Sequence, residues 1–392
     1  MRSPPRPPRC VDRLIVHQFD PARPSPGGID TCLRGICAYF PDDTDLAIVG
    51  VDTGSGPADR HLGRWERYES PAGPYWFLPV ARLDPGDQRR RIPHSLRLAL
   101  GVLRYRGRLP KRRFVQAHRM DTMLALTVLL PGRRAYFVHT QDRGLTGSTS
   151  DSIWRFARRL HRALERWVVR RATVVSVFNP EYAEIARSWN PATRPFPTWH
   201  DPSLLAESTE RDNHRVIWVG RMETPKDPML AVRTFHALTA EAEGAWTLRL
   251  LGQGTLSEEV AAVAGGDTRV HLLGAVPPEQ VYQELGGAGV FLMTSHPGYE
   301  GFPRVLVEAL ASGLPTVVTE GSDTGRLVEN GRNGFTVGRD PAALAAAIRA
   351  AAALDRDAAR ASVAQFSGPA IVAALFAQTS DPDEARPHPS ET

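Results

Sequence analysis

Lysine is almost missing from this chain. Of its 48 basic residues, only Lys111 and Lys226 are lysines. An arginine surplus beside abundant Ala, Gly and Pro follows from a GC-rich coding bias. The net charge of +5 therefore argues for no nucleic-acid partner. Cysteine is scarce too. Cys10, Cys32 and Cys37 are too few for a disulfide framework and lack metal-ligand spacing, which fits a reducing cytoplasm. No apolar run approaches the roughly 20 residues that a membrane-spanning helix needs. Met1 to Cys10 has no apolar core, so it is not a secretory signal, and residues 1–12 read as a disordered leader. No Gly-x-Gly-x-x-Gly follows a strand, and no acidic residue stands at the matching distance, which excludes a nicotinamide-dependent dehydrogenase.

What is present suits two domains. The 392 residues are 42% hydrophobic, enough for two separate cores. The first domain is expected over 13–195, a Pro-rich linker over 196–212, and the second domain over 213–365. A helix at 366–378 is read as able to return to the first domain, and 379–392 as a disordered tail. Residues 53–112 are basic and Pro-rich and show no period that orders them. The second half alternates regularly. Strands at Val216–Val219, Trp246–Leu251, Val270–Leu273, Val290–Met293 and Thr316–Thr319 are separated by helical patterns. That alternation predicts a parallel sheet with ligands at the carboxyl ends of its strands.

The sharpest feature is the run Tyr299-Glu-Gly-Phe-Pro-Arg-Val-Leu-Val-Glu-Ala-Leu-Ala-Ser-Gly313. Pro303 suits the first helical position and Gly313 the C-terminal cap. The free amides of Arg304 and Val305 then make an anion site at the positive end of the helix. Glu300 precedes it, and Glu308 lies one turn inside, on the face of Arg304. A carboxylate, free amides and a second carboxylate suit sugar hydroxyls, a diphosphate and ribose hydroxyls. An ordinary amphipathic helix with a solvated Glu at each end is the plain alternative. Two further strand ends converge on the same edge. Val219-Gly-Arg221 leads to Lys226, two cations able to neutralise a diphosphate without a metal. Leu251-Gly-Gln-Gly254 offers bare backbone to a base or phosphate.

Together, Gly220-Arg221…Lys226, Gly252-x-Gly254, Thr294-Ser295 and Glu300-x7-Glu308 resemble the retaining glycosyltransferases of the GT-B fold, family 4 type. The resemblance covers about 216–350 and implies two Rossmann-like α/β domains facing across a cleft. It implies that Glu300, with Gly301 and Phe302 beside it, holds the transferred sugar, that Glu308 holds the ribose, and that Arg221 and Lys226 bind the diphosphate. It places the base beside Ala275–Val276. Three positions depart from the pattern. Pro303 replaces a commoner glycine, Asp227 replaces the glycine usual after the lysine, and Gly321-Ser-Asp-Thr-Gly325 is a loose form of the Gly-Gly-x-x-Glu loop.

In the first half, Gly27-Gly28-Ile29-Asp30 resembles the family's Gly-Gly loop, whose amides approach the donor phosphates. His118 resembles the strand-end histidine beside the transferred sugar, and His139 a second cleft histidine. The catalytic set expected is therefore Glu300, His118, Arg221 and Lys226. No Asp-x-Asp stands at a strand end, so neither a metal nor another cofactor is expected. Partners are a nucleotide-sugar donor and a glycan, lipid-linked or small-molecule acceptor. Rival readings are a nucleotide-sugar 2-epimerase of the same fold and a non-catalytic sugar-nucleotide-binding subunit. The arginines between Trp154 and Arg171, with those of 104–113, leave two readings open: a solvated face, or a peripheral contact with anionic membrane.

Overall fold

A computed structural model of the chain describes residues 7–23, 28–83, 93–139, 158–205, 211–241 and 245–379. Two sheets organise them. The first has eight strands: β1 (Cys10–Val16), β2 (Leu46–Asp52), β3 (Glu66–Tyr68), β4 (Tyr75–Arg82), β5 (Lys111–Ala117), β6 (Arg133–Val138), β7 (Val174–Val177) and β8 (Thr193–Pro195). Their order is β3-β4-β2-β1-β5-β6-β7-β8, parallel except for the antiparallel β3–β4 pair. The second sheet has six strands: β9 (Arg215–Val219), β10 (Thr247–Leu251), β11 (Val270–Gly274), β12 (Val290–Met293), β13 (Thr316–Thr319) and β14 (Gly334–Val337). Their order is β11-β10-β9-β12-β13-β14. Every residue of β2, β12 and β13 is buried, as strands covered on both faces must be.

Helices cover both faces of the first sheet. On one lie α2 (His94–Tyr105), α3 (Met120–Leu129), α4 (Arg158–Arg171) and α5 (Pro180–Arg187), joined by a core that includes Leu98, Met123, Val168 and Ala183. On the other lies α1 (Gly28–Tyr39). The second sheet carries α6 (Pro228–Glu241), α7 (Ser257–Ala264), α8 (Pro278–Gly287), α9 (Arg304–Ala311), α10 (Pro341–Ala351) and α11 (Arg356–Ser362). The last helix, α12 (Gly368–Ala377), packs on α1, with Val372, Leu375 and Phe376 in the core of the first domain beside Ile15 and Phe137.

Strand order reverses between β1 and β5 in one sheet and between β9 and β12 in the other. Such reversals open a crevice at the carboxyl ends of the strands, and that is where ligands enter α/β sheets.

Several local expectations change. Residues 10–12, read as leader, start β1, because Cys10 and Val11 pair with Lys111 and Arg112. The 53–112 stretch contains β3, β4 and α2, which its proline and arginine content concealed. Pro303 caps α9 from just outside instead of occupying its first turn. Thr379, read as tail, is buried and bonded to Arg13. Gly27 and Trp154 to Ala157 lie outside the described residues.

Candidate active site

The second-domain cluster forms where β9 and β12 end. Lys226 closes a short 3-10 turn after β9, and its Nζ donates to Glu300 Oε1 at 2.6 Å. Ser295, just past β12, donates its hydroxyl to the same oxygen. Arg221 reaches the cluster through Tyr299, donating from Nη2 to the phenol at 2.9 Å, while the Tyr299 ring stands 5.8 Å from Lys226 Nζ. Arg221 is largely exposed, whereas Lys226 and Glu300 are mostly buried. The structure thus unites Arg221, Lys226 and Glu300, with Tyr299 and Ser295 as additional members.

Asp227 shows why a glycine is common after the lysine. Its φ is +43°, left-handed backbone that a β-branched residue resists. Its carboxylate joins Arg339, whose Nη1 also donates to the Thr294 carbonyl at 2.9 Å, tying the β9 loop to the end of β12.

Glu300 is held in place by its neighbour. The Gly301 carbonyl accepts from Thr324 Oγ1 at 2.7 Å and, across the cleft, from Asn179 Nδ2 at 3.0 Å. A Cβ at Gly301 would come within 2.7 Å of the His139 carbonyl, so only glycine lets the two domains meet here. Phe302 turns away, packing on Gly325 and Phe366. The amides of Arg304 and Val305, first in α9, have no partner within their own helix. Glu308 lies 4.0 Å from Arg304, whose guanidinium covers the Trp199 ring and donates to the Trp199 carbonyl. Burial pushes the Glu308 carboxyl up, against the opposing pull of Arg304.

The glycines after β10 also meet a steric demand of the fold. Gly252 has φ +129°, and a Cβ there would meet the Gly220 carbonyl at 1.8 Å; one at Gly254 would meet the Met222 carbonyl at 2.4 Å. Their bareness lets this loop lie on the Arg221 loop. Val276 sits at the margin of the second-domain core. Gly28 is exposed and is the first residue of α1.

On the first domain, His118 follows β5 and His139 follows β6. His118 Nδ1 lies 2.8 Å from His139 Nε2, and His118 Nε2 lies 2.7 Å from Gln116 Nε2. The direction of this chain follows from its far end. Arg13 is buried and can only donate, and its Nη1 reaches Gln116 Oε1 at 3.0 Å. Gln116 must therefore offer its NH2 to His118. That nitrogen of His118 accepts, its proton sits on Nδ1, and it donates to His139 Nε2. His139 keeps Nδ1–H as its donor. Burial holds His118 far below the ordinary imidazole value and His139 at about 3, so both rings are neutral. His139 also stacks on Phe178 with ring centroids 4.5 Å apart.

Cys32 completes a cluster that its sequence position did not announce. Its sulfur and ring nitrogens of His118 and His139 lie within 4.8 Å of one another, the donor set of a soft divalent ion. The proton on His118 Nδ1 and a thiol pushed by burial to about 12 both resist such an ion. A small cavity of about 60 Å³ beside these histidines is lined by Asp121, Tyr136, His161 and Glu165 among others.

Residues 213–353 match the family model of glycosyl transferases group 1. The amylovoran biosynthesis glycosyltransferase AmsK of Erwinia amylovora is 31% identical over 141 residues, 34% of either chain. A glycogen synthase of Mycobacterium tuberculosis is 29% identical over 232 residues, 54% of this chain and 52% of its own. The chain thus spans about a third to a half of these curated relatives. The fold extends further. Sucrose-phosphate synthase from Thermosynechococcus elongatus superposes with a TM-score of 0.71 over 94% of this chain and 98% of its own, at 19% identity. HepE from Anabaena, in complex with UDP and glucose, gives 0.66 over 94% and 99%, at 18% identity. The architecture is the two-domain GT-B arrangement, and the second domain is a glycosyl transferases group 1 domain, a transferase module.

Proposed function

We propose that the chain is a retaining, metal-independent glycosyltransferase. It moves a hexose-type sugar from a nucleotide diphosphate sugar to a glycan, lipid-linked or small-molecule acceptor. The Lys226–Glu300 pair at the β9/β12 strand reversal carries this reading. A diphosphate entering there competes for Lys226. Lys226 and Arg221, with the Arg304 and Val305 amides, then neutralise the leaving group, as preorganised donors do best in a partly buried site. Glu300, released from its cation and still held by Ser295, accepts hydroxyls of the sugar. Glu308, one turn inside α9, takes the ribose hydroxyls in this reading. Across the cleft, His139 offers its Nδ1–H as a neutral donor to the sugar or the incoming acceptor, and His118 positions that ring.

The resemblance of the Glu300-x7-Glu308 helix start supports retention. UDP-sugars are the first donors to try, since HepE holds UDP and glucose on the same fold. A calorimetric screen of UDP-, GDP- and ADP-sugars tests the site. Saturable binding of one donor is expected, abolished in Lys226→Ala; binding of none overturns the assignment.

One observation favours the epimerase reading. His118, His161, Asp121 and Glu165 share one cavity, a carboxylate and histidine set of the kind proton abstraction needs. Incubating donor without acceptor separates the two. Released nucleotide with hydrolysed sugar supports transfer, while a free C2-epimer supports the isomerase.

A further inference from the structure

The layer made by α2, α3 and α4 has a second face. Its inner residues belong to the sheet core. Outwardly, Leu96, Leu100 and Leu103 form an i, i+4, i+7 stripe on α2, with Val128 on α3 at 77% exposure and Leu160 on α4 at 56%. Among the described residues, every exposed large apolar side chain except Ile185 on α5 and Leu272 on β11 sits on this layer. Burial alone would not leave large apolar side chains on the outside of three adjacent helices.

Charge identifies what covers them. Arg104, Arg106 and Arg108 stand exposed at the end of α2, and Arg159, Arg162, Arg166 and Arg170 along α4. The described acids on these three helices are Asp121, paired with Arg119, and Glu165, buried with Tyr182. None of them faces outward with the arginines. Exposed Glu181 and Glu184 appear only on α5, at the margin. Leucines ringed by arginines, without exposed carboxylates, match the headgroup and acyl boundary of an acidic bilayer.

We propose that the outer face of α2, α3 and α4 docks on anionic lipid, so that the acceptor is an amphiphile presented from the bilayer. The position of the face relates it to the cleft. α3 begins two residues after His118, and α4 supplies His161 and Glu165 to the cavity beside both cleft histidines. An acceptor whose anchor stays in the bilayer then meets the cleft at its first-domain wall. Docking itself is independent of the transferase reading; only the choice of acceptor rests on it.

Co-sedimentation of the full chain with phosphatidylglycerol vesicles, without donor, tests the proposal. Partition is expected to be at least about 10-fold greater than onto phosphatidylcholine and to fall with salt. Arg159→Glu with Arg162→Glu and Arg166→Glu is expected to lose on the order of 100-fold. Leu96→Asp with Leu100→Asp should release the chain while leaving the circular dichroism and vesicle-free donor hydrolysis unchanged. Absence of pelleting at low salt overturns the proposal, as does pelleting indifferent to both variants. A dimer in sedimentation velocity that Leu96→Asp and Leu100→Asp dissociate would assign the face to a second copy instead. Loss of donor hydrolysis with pelleting intact counts against the transferase reading alone.

Discussion

At the scale of single residues, the site depends on charges that substrate must redistribute. Lys226→Ala removes the cation nearest Glu300 and is expected to lower kcat/KM by about 10²–10³, the loss typical of one preorganised contact to developing charge. Its melting temperature should move little, because removing the lysine leaves Glu300 bonded to Ser295 at the edge of an open cleft. The histidine chain predicts a pH effect of definite sign. With both rings held well below the ordinary imidazole range and neutral, they contribute no limb to the rate profile near neutral pH. Gln116→Glu keeps the acceptor for Arg13 but offers His118 a carboxylate, which forces its proton onto Nε2 and raises its pKa. Groups around the pair include Arg13, His17, Cys32, Arg119, Asp121, His161, Glu165 and Arg304. In this variant a new acidic limb should enter the kcat profile, and nitrogen NMR should show the opposite His118 tautomer. An unchanged profile and tautomer would make Gln116 a packing residue only.

The elements explain which residues were legible in the sequence and which were not. Glu300, Arg304 and Glu308 could be placed because a helix start is a local event, dictated by Pro303 and the apolar spacing behind it. Lys226 stood out by rarity in an arginine-rich chain. Tyr299 and Asn179 were missed, and Ser295 was marked only as part of a motif with no role of its own, because their roles arise only when two strand ends, or two domains, approach each other. Arg13 was hidden for a related reason. Its partners Gln116, Phe376 and Thr379 come from β5 and from the far end of α12. The 53–112 stretch misled because β3 and β4 lie at the sheet margin, where the hydrophobic pattern is interrupted by arginine and proline. That α12 completes the first domain yields a prediction for this scale. Phe376→Ala removes a buried ring and uncovers the Arg13 guanidinium, and should cost about 3–5 kcal/mol in chemical denaturation. A loss below about 1 kcal/mol would mean that α12 is only loosely docked.

At the scale of the whole molecule, the cleft is built of neutral, buried imidazoles, and that makes stability pH-dependent. His17 and His139 are held at about 3 by burial, and His118 is also far below its ordinary value. In the unfolded chain these groups titrate near 6.5. Stability is therefore full above about pH 7 and is lost as pH falls below 6.5, because only the unfolded chain takes up the protons. Each buried histidine contributes up to about 1.4 kcal/mol per pH unit in that window. Denaturant midpoints measured between pH 7.5 and 5 should fall steadily, and less steeply in His17→Gln. The central claim, however, concerns chemistry. The most direct measurement is proton NMR of donor hydrolysis by the full chain in EDTA, following the anomeric signal before mutarotation. An α-linked donor should release its nucleotide diphosphate and give α-hexose first, at a rate unaffected by the chelator and lowered at least about 100-fold in Lys226→Ala. First-formed β-hexose, a C2-epimer, or turnover that returns only on adding a divalent ion would contradict the account.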